Sequence, residues 1–272
     1  LHSFPTRRSS DLHIDVALRH ELGIRQTVLD REDISALEPA LPPNYTHGIL
    51  YPDAVHLTDP FELMRMLARA FVAKGGSIVR GDITKLQHSN QDVKLTGNGI
   101  ALCAKTAVIA CGAWSAALAR QVGDRIPLET ERGYHIEFPT DTPLLSRPVC
   151  PIEHGFYLTP MNGRLRAAGT VELSNLNRPA NPHRLKLIER ATRALFPNLG
   201  AAQSSWLGFR PSLPDSLPVI GRSLRARNVI YAFGHGHLGV TLAAETARLV
   251  SDLVTGDDNT SSAAGWSPAR FS

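Results

Sequence analysis

The sequence predicts an α/β architecture built on a parallel sheet and interleaved with a strand-rich α+β block. Three observations carry the prediction. Thr106 to Ala110 is an unbroken apolar run that meets Gly112 and then an alanine-rich helical stretch from Trp114. That is the order expected of a strand covered on both faces and followed by a helix. Asn228 to Phe233, a glycine-rich loop from Gly234 to Gly239 and a helical stretch from Val240 to Leu253 repeat the order near the C-terminus. Between the two joints, residues 126–175 read as successive strands, Tyr134 to Phe138, Gly155 to Thr159 and Leu165 to Val171, and helix returns between Arg184 and Leu195.

The remaining elements follow in chain order. The opening LHSFPTRRSSDL has no period and leads into no core element, so residues 1–12 are read as a non-native or disordered arm. Ile34 to Pro39 reads as a helical turn stopped by proline, and Gly48 to Tyr51 as a short strand. Asp59 is suited to cap a helix, Pro60 to its first position and Glu62 to the place three after the cap. Phe61, Met64, Leu67, Ala68 and Phe71 then recur at helical spacing, and Gly75-Gly76 closes the helix. Strands are expected at Ser77 to Val79 and near Ile83, and a hairpin from Asp92 turning at Gly97-Asn98-Gly99.

Composition narrows the function. The 272 residues are 43% apolar and 20% charged, the balance of a chain with a core. A net charge of +4, of which the first twelve residues supply +1, is too small and too dispersed for nucleic-acid binding. Cys103, Cys111 and Cys150 form no CxxC pair, which favours a reducing compartment. The longest apolar stretch, Ala107 to Ala119, is too short to span a bilayer, and the N-terminus lacks the apolar core of a signal peptide.

Four segments have the chemistry of a site. Gly112, after its apolar run, lets backbone approach a bound group, and the helix behind it favours an anion; an ordinary strand–turn–helix joint accounts for the same residues. Three glycines in the run Gly234 to Gly239 suggest that something flat or anionic lies against the backbone, with the following helix dipole pointing at it. His235 and His237 in that loop form an HxH pair, open to a metal reading or to local hydrogen bonding, but no carboxylate–histidine motif accompanies them. Arg210 precedes a stretch stiffened by Pro211, Pro214 and Pro218, where its guanidinium is suited to a carboxylate or to a structural bridge with Asp215. Tyr157 and Glu172, on paired strands, either point into one cleft or belong to a sheet face, and the run Glu129 to His135 is polar enough for a pocket or an exposed edge.

Taken together, the runs VIACGAWS, ERGYH, YLTP with GTVE, GFRPSLPDSLPVIG and FGHGHLGVT resemble the D-amino-acid oxidase superfamily of flavoproteins, and within it the D-amino-acid dehydrogenase and hydroxyproline (opine) dehydrogenase-like branch. The resemblance covers about residues 30–256. It implies an FAD-binding Rossmann-like domain, residues 56–121 and 206–256, interleaved with an antiparallel-sheet substrate domain, residues 13–55 and 122–205, and a C-terminal tail, residues 257–272. It implies FAD as cofactor, with Ile83 beside the adenine, Ala110, Gly112 and Trp114 along the cofactor path, and Gly234, Gly236, His237, Leu238, Gly239 and Thr241 along the flavin ring. It assigns Arg210 to the substrate carboxylate, Tyr157 to the same carboxylate and His237 to the place of a second cationic group.

The reaction so implied is oxidation of the C–N bond of a D-amino acid or a cyclic imino acid. An electron-acceptor protein or membrane quinone and a partner subunit are the other partners, with no nucleic acid and no metal. The setting is cytoplasmic, extending to peripheral association with the inner face of a membrane. The sequence departs from the pattern in one respect: the opening strand and GxGxxG loop that cradle the FAD pyrophosphate are not in it. The chain is therefore expected to begin inside the family pattern, and the alternatives are an inactive fragment or one subunit of a multi-chain flavin dehydrogenase, with a metal hydrolase using His235 and His237 behind them.

Overall fold

The computed structural model describes residues 16–256 and 265–272; the arm at residues 1–12 lies outside them. β1 (Thr27–Asp30) pairs antiparallel with β2 (His47–Leu50), and α1 (Arg31–Leu37) lies between them in sequence. Asp30 and Asp33 form a reciprocal capping box that starts α1. α2 (Pro60–Ala73) begins as its sequence predicts: the Asp59 carboxylate accepts from the amides of Phe61 and Glu62. Its apolar stripe does not reach a core, because Phe61, Met64, Leu67 and Phe71 are all exposed.

The strand expected at Ser77 to Val79 is not formed; these residues are irregular. The physical reason is pairing, since an extended segment becomes a strand only when a neighbour takes up its amides and carbonyls, and Ile78 and Val79 stand 62% and 60% exposed. β3 (Ile83–His88), β4 (Val93–Gly97) and β5 (Ile100–Ala104) form an antiparallel meander. Its second turn is the two-residue Asn98-Gly99 loop, with Gly99 at φ 73°, a left-handed value glycine adopts without strain.

The two strand–loop–helix joints come together in one sheet. β6 (Ala107–Ile109) runs parallel to β12 (Val229–Phe233), and β11 (Val219–Arg222) closes the other side antiparallel. The parallel component among the described residues is thus a single pair. After β6 a 3-10 turn, Gly112–Trp114, leads into α3 (Ser115–Val122). After β12 the chain makes turns through residue 242, so α5 (Ala243–Thr255) starts later than the Val240 that apolar spacing suggests.

The strand-rich block is one antiparallel sheet: β7 (Glu129–Pro139), β8 (Phe156–Met161), β9 (Arg164–Leu173) and β10 (Ser204–Ser212), in the order β10-β7-β9-β8. β10 carries the sheet to Ser212, past residue 205 where the division read from sequence ends it. α4 (Pro182–Leu195) covers one face, packing Ile188 and Leu195 against Tyr134, Ile136, Phe138, Phe156 and Leu158. The tail is not loose where it is described: Arg270 reaches back to Asp215 at 2.6 Å.

A second core joins β6, β12 and α3 through Ile109, Leu118, Val122, Tyr231 and Phe233. At its edge the buried Asp124 accepts from the Tyr231 hydroxyl at 2.8 Å and the Ser223 hydroxyl at 2.5 Å, binding the chain after α3 to β12 and to the turn after β11. Burial, together with the Asp124 carboxylate, pushes the Tyr231 hydroxyl pKa well up, so it stays a donor at any ordinary pH. Replacing Tyr231 by Phe leaves the ring packing but deprives a buried carboxylate of a donor. The unfolding free energy in urea should fall by about 1–3 kcal/mol; an unchanged midpoint would show that Ser223 alone satisfies Asp124.

Candidate active site

Arg210 is on β10 opposite Glu131 of β7. Alternation of side chains along paired strands puts Arg210, Gly133, His135 and Tyr157 on the sheet face away from α4. The Arg210 guanidinium does not stand straight out of the sheet. It lies over Gly133, where a Cβ would come within 2.3 Å of Nη2 and 2.4 Å of Cζ. From there Nη1 donates a long 3.5 Å bond to the Thr170 carbonyl on β9. The head therefore reaches across β7 toward β8, the strand that carries Tyr157. Burial pulls the Arg210 pKa down and Glu131 opposes it, but a guanidinium keeps its charge. The bridge to Asp215 is not made, since Asp215 is held by Arg270.

Tyr157 is half-exposed, opposite Ala168. Burial of its hydroxyl, then its contact with the Cys150 thiol, raises its pKa, and Tyr51 and Arg19 lie close enough to act on it electrostatically. Tyr51 itself accepts from Arg19 Nη1 at 3.0 Å. Glu172 is elsewhere: it is buried on the opposite face, 3.6 Å from the fully buried Arg132 and accepting from the Tyr134 hydroxyl at 2.5 Å. Tyr157 and Glu172 thus do not share a cleft.

Both glycine joints reach the strand end that carries Arg210, the Trp114 joint through Phe209 on the Arg132 side of the sheet. The Gly236 amide donates to the Pro211 carbonyl at 2.8 Å, and Leu213 fills the space where a Cβ on Gly234 would be, 2.5 Å away. On the other side the Trp114 ring meets the Phe209 ring edge-on at 5.6 Å. Because Ile109 and Tyr231 are register partners, Ala110 and Gly234 leave from the same end of the parallel pair, the carboxyl end where open α/β sheets bind ligands. His237, Leu238, Gly239 and Thr241 follow as an exposed stretch. Ile83 is apart from this junction: it opens β3 on a separate sheet and packs, partly buried, against the core.

The backbone here suits a flat or anionic group. Gly112 and Gly236 take left-handed φ values of 55° and 54°; a Cβ on Gly112 would meet nothing within 4 Å, and one on Gly239 only the His235 Cβ at 3.7 Å. The Ser115 hydroxyl, just past the Gly112 turn, is buried without a partner. His235 bonds the Thr246 hydroxyl at 3.0 Å, and burial lowers its pKa. Among the described residues, no three His, Cys, Asp or Glu side chains gather closely enough to hold a metal ion.

A parallel pair with open glycine turns, set against an antiparallel sheet that carries a half-buried arginine, defines the class: a nucleotide-type α/β layer packed against an antiparallel sheet. The DAO profile, described as FAD dependent oxidoreductase, matches residues 2–253, and the chain belongs to that family. It is 36% identical over 280 residues to a D-amino-acid oxidase of Bradyrhizobium diazoefficiens, with 100% of this chain and 66% of that protein covered. To a D-amino acid dehydrogenase of Paramagnetospirillum magneticum it is 34% identical, covering 94% of this chain and 62% of the relative. The chain thus spans a little under two thirds of the length of these curated relatives. A glycine oxidase from Geobacillus kaustophilus superposes with a TM-score of 0.86 at 24% identity, over 95% of this chain and 70% of that one. An L-proline dehydrogenase from P. horikoshii does so with 0.82 at 19%, over 97% and 74%. At these identities the two superpositions establish the fold.

Sequence reading missed Gly133, Thr170 and the Arg132–Glu172 pair. Gly133 does have a sequence signal, since a glycine inside a strand pattern often means a bulge or a close approach, and the β7–β9 register slips between Arg132 and Tyr134. The Glu172 carboxyl is held below its usual range by the Tyr134 hydrogen bond first, then by Arg132, Arg184 and Arg178. A depressed folded pKa contributes stability that is present above the unfolded value, about 4.3, and is lost as pH falls through the folded one. Glu172→Gln should therefore flatten the acid limb of the stability curve. It should also lower neutral stability by about 3–5 kcal/mol, because Arg132 is left buried and uncompensated. Urea melts at several pH values test both; an acid limb as steep as the wild type's would remove Glu172 from that role.

Proposed function

We propose that the protein carrying this chain is an FAD-dependent oxidoreductase that oxidises the C–N bond of an amino acid. One observation supports the reading above the others: both strand–glycine–helix joints end against the Phe209 to Leu213 segment, which carries Arg210 with its head lying over Gly133 on the sheet face away from α4. A cofactor on those joints and a carboxylate on Arg210 would be neighbours. The names of the relatives, D-amino-acid oxidase and D-amino acid dehydrogenase, point to the same substrate class, with a D-amino acid or a cyclic imino acid such as hydroxyproline as the finer reading.

In this reading Gly234, Gly236, His237, Leu238, Gly239 and Thr241 would lie along the flavin ring, Ala110, Gly112 and Trp114 along the cofactor path and Ile83 beside the adenine, and FAD would supply the acceptor for the hydride leaving the substrate α-carbon. Arg210 takes the carboxylate out of water as a bidentate partner. Tyr157 adds a hydroxyl from β8, and His237 a polar group from the cofactor loop. The amine enters neutral; with hydride and the nitrogen proton gone it is an imine, which for a primary amino acid water hydrolyses to the oxo acid and ammonia, whereas a cyclic imine keeps its nitrogen bonded to the rest of the chain. No side chain needs to act as base, so the protein's part is orientation. No helix among the described residues is long and apolar enough to cross a membrane. An electron-acceptor protein or quinone remains part of the proposal.

Three substitutions divide the reading. Arg210→Lys keeps a charge but loses the fork. It should raise KM for the amino acid at least about tenfold, and Arg210→Ala should nearly abolish turnover while FAD stays bound. Asp215→Asn, which only releases Arg270, should leave KM alone. Wild-type kinetics in Arg210→Ala would remove Arg210 as the anchor.

On the cofactor side Gly239→Ala is the cleaner probe, because its backbone is unstrained and the added Cβ has room within the chain. It should weaken FAD binding in a titration while the apoprotein melts as the wild type does; unchanged FAD affinity would take the flavin away from this loop.

A further inference from the structure

Gly133 is buried in β7, at the point where the β7–β9 register slips. Its φ is not in the left-handed region, so its backbone does not require glycine. What requires glycine is the space: Nη2, Cζ and Nη1 of Arg210 would lie 2.3, 2.4 and 2.7 Å from a Cβ there. Gly208, the register partner of Gly133 on β10, is also covered on this side, by the Trp206 ring, whose nearest atom would be 2.3 Å from a Cβ. Two facing glycines therefore make a floor on which the guanidinium lies at one position and the indole at the next. Across the floor, Thr170 presents its carbonyl to Arg210 from a left-handed backbone, φ 58°, rare for a β-branched residue, with its hydroxyl buried and unpartnered.

We propose that Gly133 is a positioning residue for substrate binding: the absence of its Cβ lets the Arg210 guanidinium lie flat across β7 with its fork aimed along the sheet toward β8. The inference rests on Arg210 being the carboxylate anchor. An extended arginine has several staggered rotamers, and a carboxylate gains two parallel bonds only if the fork is held in one of them. A methyl group at 133 meets the far end of a flexible side chain, so the head moves and the fold does not. The chemical consequence is loss of carboxylate affinity with little loss of stability, the reverse of what overpacking against backbone would do.

The test uses the FAD-loaded protein and two probes, D-alanine for steady-state kinetics and propionate for calorimetric binding. Gly133→Ala should raise KM for D-alanine and Kd for propionate about tenfold or more, with FAD content and Tm close to wild type. In an Arg210→Ala background the slot is empty, and adding Gly133→Ala should change neither affinity nor Tm further. Unaltered affinity in Gly133→Ala overturns the inference. So does a loss of Tm or folding that persists when Arg210 is already alanine, because the glycine would then serve the backbone. If Arg210→Ala itself leaves both constants unchanged, it is the functional reading that fails; if Arg210→Ala weakens binding and Gly133→Ala does not, only the role of Gly133 does.

Discussion

The hydrogen bond from the Gly236 amide to the Pro211 carbonyl ties the two halves of the structure together at the place where function is proposed. It takes the end of β10, an edge strand of the antiparallel sheet, and fixes it to the loop that leaves the parallel pair. Leu213 fills the Cβ space of Gly234 a few residues on, so the contact is packed as well as bonded. Arg210 is the residue before Pro211. Its backbone is held on one side by the β7 ladder, on the other by this junction, and in between by the restriction that a proline places on its predecessor. A guanidinium that must meet a carboxylate within tenths of an ångström needs that kind of fixed origin.

Charge is buried in this chain where segments distant in sequence meet. Arg132 and Glu172 close the underside of the sheet on the segment that leads to α4, with Arg132 also donating to the Pro179 carbonyl and the Asn181 amide reaching the Tyr134 hydroxyl. Glu38, at the end of α1, accepts from the Ser146 amide, the Ser146 hydroxyl and Arg147. Asp124 performs the same office between α3 and the β11–β12 turn. Each is worth little as net attraction once desolvation is counted, yet each is costly to break from one side. Such groups make one arrangement of the segments far better than its neighbours.

Local patterns were legible in the sequence wherever one segment's own chemistry sets its form. The α2 cap at Asp59, the Asn98-Gly99 turn, the apolar run of β6 and the glycine loop after β12 are all of this kind, because caps, tight turns and doubly covered strands depend on residues a few positions apart. The pattern failed where a distant partner decides. Ser77 to Val79 has the composition of a strand and is irregular, with no strand among the described residues pairing with it. α5 starts at Ala243, later than its apolar spacing suggests, because turns occupy the residues before it. Glu172 has a polar side chain on a strand near Tyr157, and only the register of β7 against β9 shows that it points the other way.

The sequence by itself determined the α2 cap, the Asn98-Gly99 turn, the two glycine joints and Arg210 as a guanidinium suited to a carboxylate, since each rests on short-range spacing and side-chain chemistry; it did not show β1, β10 or β11. Tertiary structure alone decided that Asp215 belongs to Arg270, that both joints converge on the end of β10, and that the Arg210 head lies on Gly133. The physical reason is register. Pairing β10 with β7, and β7 with β9, sets which side chains share a face and which backbone is left bare beneath them. A shift of one residue would exchange the faces, and nothing local to any of the three strands records which pairing holds.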